Sequence, residues 1–566
     1  MTKRITTLAF SMALTTDYNF PYVHILFKQH YKVFGKYPEQ YEWVDPDYLT
    51  QDIEPSIVAD WVVDNKIDIV FASMYLWNHQ YTHMILKEIK ERNPNITIIA
   101  GGPHVFGNDP VYFEEHPWVD IVSDAKVYGE AFIVDYLNGN ELADVTGAIW
   151  ATGKSNKKFN IRDFEWAPRV YADNIDYVKK VIAMAKSASM PAVVGFAIET
   201  SRGCPFACTF CEWGGGIATK MSKKDLADVK ADVAALISAK AERFHICDSN
   251  FGFWDEDVAL LKQIAASNRI VGFPKVVTIY GWSKNNNKRH YEMCKIMANS
   301  TIEGFYYALS IQGLNELTLQ QIKRSDSPLE DRWALARKIS QDFKTKVHVE
   351  ILMGLPGDKL VDYYKILNKR HELDAFSHYV WMLLPNTEAH TKEYREKYSL
   401  KTAWAHNVQP SFIKHKGQKI NKELTAAHAK NRYEYVVGSY SLDPEEWLEV
   451  FMLERLYNTA KKHTIVWPVL EAKRVQLGLH PSVFWKKIMR NFNKIDSPEW
   501  KSIWEDMWPK IHKMVEPLQP GEIRYMGSAG IEDGHSVHLS DVAIMFFEKY
   551  TDKLLALVEQ DQEGLQ

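Results

Sequence analysis

The chain has 566 residues, 46% of them hydrophobic and 25% charged, with a net charge of −4. These values fit an ordinary globular protein of more than one domain. They leave no basic footprint for nucleic acid, and no apolar run approaches the ~18 residues of a membrane span. The first residues, with Lys3 and Arg4 before a mildly apolar stretch to Leu14, faintly resemble a signal peptide. Thr6, Thr7 and Ser11 dilute that stretch and no cleavage site is clear, so a first β-strand and a cytoplasmic location are expected. Aromatic content is high, 13% with 18 Trp, and most of these rings are expected in cores.

Residues 1–150 alternate between strand and helix. Ile5–Ser11, Ile67–Ser73, Ile96–Ala100 and Val119–Val122 read as short buried strands, and Tyr81–Arg92 carries Met84, Ile85 and Ile89 at helical spacing. This alternation predicts a doubly wound parallel sheet that takes ligands at the carboxyl ends of its strands. Residues 151–189 form a connector, with a polar turn at Gly153–Lys158 suited to a β-hairpin.

Alternation resumes in 190–400. Strands are expected at Val193–Thr200, Arg243–Cys247, Val276–Tyr280, Tyr306–Ile311, Val347–Leu352 and Tyr379–Leu384, with helices at Lys223–Ala239 and Asp255–Ala266. Six such units predict a partial (β/α)6 barrel, with chemistry on loops at the carboxyl ends of the strands. Residues 401–566 read as a mostly helical domain rich in Trp, with helices at Pro444–Lys462 and Pro481–Phe492 and a last helix to Glu559 capped by Ser540. The tryptophans Trp447, Trp467, Trp485, Trp500, Trp504 and Trp508 are read as packing.

Three of the five cysteines, Cys204, Cys208 and Cys211, fall within eight residues in the spacing C-x3-C-x2-C. Three clustered thiolates can ligate three corners of an iron–sulfur cluster. Without a fourth protein ligand one iron stays open, as catalytic metal positions do. A zinc site completed by a distant histidine is the alternative, although structural zinc usually draws on two spaced pairs. An odd cysteine count does not suit a disulfide framework. Cys247 and Cys294 read as buried small hydrophobes.

The motif C-x3-C-x-aromatic-C, with Phe210 as the aromatic, resembles the signature of the radical S-adenosylmethionine (SAM) superfamily. In that family three cysteines hold a [4Fe-4S] cluster whose open iron is chelated by SAM. An electron from the cluster then cleaves SAM to methionine and a 5′-deoxyadenosyl radical. The resemblance implies a SAM site on Phe210, on Asp248 and Asn250 after the second strand, and on Ser310 and Gln312 at the fourth. Relatives often carry Glu near the last position, and Gln312 departs from that. The run Gly354-Leu355-Pro356-Gly357 is similar to the family's fifth-strand turn, or is simply a tight turn into a helix.

Residues 1–150 resemble the cobalamin-binding domain that precedes many of these cores. The matching pieces are Ser73, Tyr75, Trp77 and Asn78 after one strand, Gly101, Gly102 and His104 after the next, and the turn bearing Glu130. The D-x-H-x-x-G motif that supplies a cobalt ligand elsewhere is absent, so no axial ligand is named. A degenerate domain that only scaffolds the core is the alternative. Tyr75 and Trp77 would face a corrin ring or pack on the core; His104 would serve as a turn histidine.

Three functions follow. The first is cobalamin-dependent methyl transfer to an unactivated centre of a small molecule or peptide. The second is a cobalamin-free radical SAM rearrangement, cyclisation or oxidation. The third is a non-catalytic iron–sulfur protein for electron transfer or scaffolding, which the vacant cluster position argues against. Both enzyme readings imply a low-potential electron donor such as flavodoxin or ferredoxin, and no nucleic-acid or membrane partner.

Overall fold

The structure is a computed structural model that describes residues 2–10, 17–47, 53–105, 111–187, 193–213, 220–284, 286–373, 375–406, 432–517, 524–525, 530–531 and 539–562. The chain forms two compact units. The first runs through Ala207 and resumes from Cys211 to Tyr306; the second takes Cys208–Phe210, the described chain from Tyr307 to His406, and the described chain from Arg432 on.

The first unit opens with β1 (Lys3–Leu8), β2 (Asp17–Asn19), β3 (Tyr41–Trp43), β4 (Ile69–Ser73), β5 (Thr97–Gly101), β6 (Ile121–Ser123), β7 (Ala148–Trp150) and β8 (Gly153–Lys154). Seven of these make one sheet in the order β3-β1-β4-β5-β6-β7-β8. The strands from β3 to β6 run parallel, and β7 and β8 close the edge as an antiparallel hairpin. A hairpin is present, but its turn is Ala151–Thr152, and Gly153 and Lys154, expected in the turn, form its second strand. Every residue of β4 is buried, as an unbroken apolar run in a sheet covered on both faces requires. Helix His79–Arg92 turns Tyr81, Ile85, Leu86 and Ile89 inward at i, i+4 spacing against Val58 and Val62 of helix Pro55–Asp64.

The second sheet of this unit has the order β13-β12-β9-β2, from β9 (Val193–Ile198), β12 (Arg243–Ile246) and β13 (Val276–Ile279), all parallel. Helices Leu226–Ser238 and Asp255–Val271 follow β9 and β12. The edge strand β2 comes from the N-terminus and pairs Asp17 with Val193; its three residues were too short to read from the sequence. Between β9 and β12 a small ladder joins β10 (Ser201–Arg202) to β11 (Ser222–Lys223).

The second unit holds a sheet of β14 (Tyr306–Gln312), β15 (Lys346–Met353) and β16 (Ala375–Val380). Along β15 the residues Val347, Val349, Ile351 and Met353 are buried while His348, Glu350 and Leu352 are half-buried, so one face is covered and the other partly open. The expected sixth strand, Tyr379–Leu384, is corrected to Ala375–Val380. Beyond Val380 the chain changes partner: Val436 N–H donates to the Trp381 carbonyl at 2.8 Å and Leu383 N–H to the Glu434 carbonyl at 2.9 Å. That partner is β18 (Arg432–Gly438), paired antiparallel with β17 (Lys401–His406). The region after 400 thus begins with strands before its helices.

Helix Pro444–Lys462 starts on a reciprocal cap, with Asp443 Oδ1 accepting from Glu446 N–H at 2.8 Å and Glu446 Oε2 from Asp443 N–H at 3.1 Å. Trp447, Trp485 and Trp500 are fully buried, as packing residues should be. Trp504 stacks on Trp508 with centroids 5.1 Å apart. The last helix spans Leu539–Gln560, so Ser540 falls within it and outside the residues whose side chains are described. The run Gly214–Gly216 also lies outside the described residues. Among the described residues no helix is long and apolar enough to cross a membrane.

Candidate functional site

The carboxyl edge of the first sheet gathers the residues expected there. The β4–β5 register sets Ser73 beside Gly101. Gly102 has φ +107°, and a Cβ on it would lie 2.4 Å from the Met74 carbonyl oxygen, so only glycine lets these two turns meet. Tyr75 stacks on Trp77, centroids 4.6 Å apart and planes 12° from parallel. Asn78 is buried and committed to backbone: its Oδ1 accepts from Tyr75 N–H at 2.7 Å, and its Nδ2 donates to the Ser73 and Phe10 carbonyls at 3.0 and 3.2 Å. Glu130, also buried, ion-pairs Arg202 at 2.8 Å.

His104 lies against His79, centroids 4.0 Å apart, and His83 against His116 at 3.9 Å. Burial pushes His79 and His83 down to about 2 and His104 to about 4, so these imidazoles are neutral at pH 7. The sequence reading passed over His79 and His83, whose i, i+4 spacing was the available signal.

The cysteine loop leaves β9 at its carboxyl end. Asp248, after β12, is buried, and its carboxylate anchors the loop's start. Oδ1 accepts from Thr200 N–H at 2.8 Å, and Oδ2 accepts from Ser201 Oγ at 2.8 Å and from the Thr200 hydroxyl. Burial raises Asp248 to about 7. Its neighbour Ser249 donates its hydroxyl to the Gly203 carbonyl, and Asn250 Nδ2 donates to Ser249 Oγ at 3.1 Å. Gly203 has φ +89°. Cys204 is buried and Cys211 half-buried, and neither forms a disulfide. Lys284 lies 4.0 Å from the Phe206 ring centroid. Burial pushes the Cys247 thiol up to about 12 and Cys294 higher still, which leaves both as inert thiols.

In the second unit, Cys208 is buried and the segment Cys208–Phe210 packs with α/β elements of that unit. Thr209 N–H donates to the Ile322 carbonyl at 3.0 Å, its hydroxyl meets Tyr394 Oη at 2.9 Å, and Phe210 packs on the cluster of Leu355, Trp381 and Leu383. Ser310 donates its hydroxyl to Glu350, a carboxylate the sequence reading missed. The Ser310 carbonyl accepts from Arg332 Nη2 at 2.8 Å and from Arg324, and both guanidiniums also bind Asp326. Two guanidiniums thus share the Asp326 carboxylate behind the end of β14. Gln312 closes that strand with φ +62°, a strained value for a side-chain-bearing residue, and its Oε1 is buried without a hydrogen-bond partner.

Gly354 and Gly357, at φ +87° and +99°, make the turn into helix Leu360–Arg370. Asp358 then reaches back to the end of β14, accepting from Leu314 N–H at 3.0 Å and Thr318 Oγ1 at 2.8 Å. Burial raises Asp358 to about 7 from a usual value near 4. The native chain therefore holds a proton there that the unfolded chain has released, so this group's contribution to stability falls as pH rises from about 4 to about 7 and is flat above that. Asp358→Asn should gain stability relative to the parent across that window, read as urea midpoints at pH 5, 6, 7 and 8. A constant difference would show that Asp358 is ionised throughout.

Among the described residues no three His, Cys, Asp or Glu side chains converge as ligands of one metal ion.

Residues 198–369 match the family model described as the Radical SAM superfamily. The matched stretch begins at the end of β9 and takes in the cysteine loop, β12 to β15 and the Gly354–Gly357 turn. The chain's similarities lie with the subgroup that joins a radical SAM core to a cobalamin-binding domain. The chain is 25% identical over 425 residues to the cobalamin-dependent radical SAM methyltransferase TokK of Streptomyces tokunonensis. It is 24% identical over 424 residues to 2-(S-pantetheinyl)-carbapenam-3-carboxylate methyltransferase of Streptantibioticus cattleyicolor. Each match covers 73% of this chain and 59% of the relative, so the chain spans about three-fifths of the length of these relatives. Among solved structures, the cobalamin-dependent SAM radical enzyme OxsB superposes with a TM-score of 0.56 at 13% identity, covering 99% of this chain and 80% of that one. The radical SAM methyltransferase TsrM of Kitasatospora setae gives 0.53 at 15%, covering 79% and 88%. At these identities the likeness is one of fold.

Proposed function

We propose that this chain is a radical SAM enzyme that transfers a methyl group, with cobalamin, to an unactivated centre of a small molecule or peptide. The observation that carries the proposal is the set of three disulfide-free cysteines in a loop at the carboxyl end of β9, matched by the superfamily model. Cys204, Cys208 and Cys211 would hold the [4Fe-4S] cluster, and SAM would take the open iron. The cluster supplies one low-potential electron, and cobalamin supplies a transferable methyl group.

The chain's own residues bind, orient and exclude water. Asp248 acts as the anchor of the loop's entry, since its oxygens already accept from Thr200 and Ser201. Asn250, Ser310, Gln312 and Phe210 remain the SAM residues, joined by Glu350. A half-buried carboxylate such as Glu350 favours a ligand that brings hydrogen-bond donors or positive charge, and SAM brings both. Ser73, Tyr75, Trp77, Gly101, Gly102 and His104 would line the cobalamin site, with Asn78 and Glu130 as supports. The domain reading that goes with this is 1–150 for cobalamin, 151–189 as connector, 190–400 as core and 401–566 as a helical domain shaping the substrate site. The electron would come from a small protein donor such as flavodoxin or ferredoxin.

Anaerobic reconstitution with iron and sulfide should give a [4Fe-4S] spectrum that SAM perturbs and that Cys208→Ala abolishes. The same sample should retain cobalamin and, under strong reductant, cleave SAM. An intact cluster that never cleaves SAM would overturn the enzyme reading, and full SAM cleavage without cobalamin retention would overturn the methyl-transfer reading alone.

A further inference from the structure

The cysteine loop is an excursion with a clasped neck. β10 and β11 pair Arg202 with Ser222 and Ser201 with Lys223, and this small ladder clasps the two ends of the cysteine loop. Arg202, two residues before Cys204, is engaged through its guanidinium. It ion-pairs Glu130 at 2.8 Å, binds Glu199 Oε2 through Nη2 at 2.9 Å, and lies over the rings of Trp166 and Tyr128 at 4.7 and 4.9 Å. On the other strand of the neck, Lys224 donates to Tyr22 Oη at 2.6 Å and faces Glu199 at 3.4 Å. Two cations and two carboxylates balance in this cluster, and the side chains of Glu130 and Lys224 are only 3% and 6% exposed. Burial alone would lower Arg202; the charges of Glu130 and Glu199 outweigh it and hold the guanidinium firmly protonated.

Buried ion pairs stabilise little compared with apolar packing, and their best-attested use is to fix the register of the elements they join. Here the joined elements are chemically distinct. Glu130 sits in the first turn of helix Gly129–Leu137, directly after β6, at the carboxyl edge where a doubly wound sheet takes its ligand. Gly129 packs tightly, since a Cβ there would lie 2.8 Å from the Phe27 ring. Arg202 sits at the root of the loop that carries the first cluster cysteine.

We propose that Arg202 is a positioning residue that couples occupancy of the N-terminal sheet by a corrinoid to SAM binding at the cluster. The proposal rests on the cobalamin reading above. A corrinoid pressed against the turn fixes Glu130; Arg202 follows, because separating this pair would leave a buried charge uncompensated; and the neck of the loop follows Arg202. By linkage, the corrinoid then tightens SAM binding and SAM tightens corrinoid binding by the same factor.

The test uses the full chain, reconstituted anaerobically, with and without hydroxocobalamin. SAM is titrated against the reduced cluster and followed by the change in its EPR spectrum. Wild type should bind SAM at least about fivefold more tightly with cobalamin present, the low end of typical coupling between sites. Glu130→Gln should bring that ratio to near one while iron content and the cluster's absorption stay at the parent value. Arg202→Lys keeps the charge and loses the fork, and should give an intermediate ratio. A support role without coupling would lower iron content or thermal stability and leave the ratio unchanged. A wild-type ratio of one with cobalamin bound overturns the coupling alone, and that measurement needs no variant to fold. An unchanged ratio in Glu130→Gln overturns the Arg202–Glu130 route. A protein that loads its cluster but never retains cobalamin overturns the cobalamin reading and the coupling with it.

Discussion

Gly203→Ala should abolish cluster loading while leaving both sheets of the first unit folded. At φ +89° a side-chain-bearing residue is strained by about 1–3 kcal/mol before any contact is counted. The contact is worse than the strain: a Cβ on Gly203 would lie 2.0 Å from the Lys220 carbonyl oxygen and 2.9 Å from its carbon. Both are backbone atoms on the returning limb of the loop, so no rotamer change relieves the clash. The Gly203 carbonyl also accepts the Ser249 hydroxyl, so a shifted neck would lose that tie. The loop must open between its first and last residues, and Cys204 is the next residue along. Iron per chain and the cluster's visible absorption are the readouts, with far-ultraviolet circular dichroism as the control for fold. Parent-level iron in the variant would show that the neck can widen without moving the thiol.

Glu454→Gln should destabilise the second unit by about 3–5 kcal/mol, as removing one partner of a buried ion pair does. Arg370 is fully buried, and its guanidinium is gripped by the Glu454 carboxylate, which His378 Nδ1 also meets. Burial alone would raise Glu454; Arg370 and His378 hold it well below the usual carboxylate range. Its contribution is therefore present above the unfolded carboxylate pKa and is lost as pH falls below it. The amide would leave Arg370 charged and uncompensated, with Tyr457 stacked 4.3 Å from the guanidinium carbon. The double variant Arg370→Met, Glu454→Leu should recover most of the loss, because apolar side chains of similar size need no partner. Urea denaturation of the two single variants and the double gives the coupling directly. A double variant as unstable as the singles would mean that shape, not charge, decides the site.

Much of this architecture is legible from periodicity and spacing. β4 and β5 are unbroken apolar runs, and the helices His79–Arg92 and Pro444–Lys462 carry apolar faces or strong caps. The cysteine spacing is a local pattern, so it reads directly. Elements decided by distant partners do not. β16 was placed four residues late because Trp381 and Leu383 look like strand residues and are, but of a different pairing, with β18. β17 and β18 are separated by more than twenty residues, so no short hairpin pattern announces their pairing. The site shows the same division. Ser73, Gly101 and Gly102 could be placed because strand ends and glycines have local signatures. The partners of Asp248 and Glu130, namely Thr200 and Arg202, lie far away in sequence, so those carboxylates read as ligand contacts when their oxygens are engaged within the fold. Glu350 was hidden inside a strand, where an inward carboxylate looks the same as an outward one until the sheet's faces are known.

The edge strand β2 carries a consequence for how the molecule is made. Asp17–Asn19 emerges early in synthesis and pairs with Val193–Gly195, which comes much later. A nascent chain stopped anywhere before Val193 holds an unpaired strand with no partner yet synthesised, and such contacts of large sequence separation close slowly. The N-terminal segment thus cannot be excised as an independent module. A fragment starting after it would expose the flank of β9, the strand that delivers the first cysteine, as an open edge prone to pair with another chain.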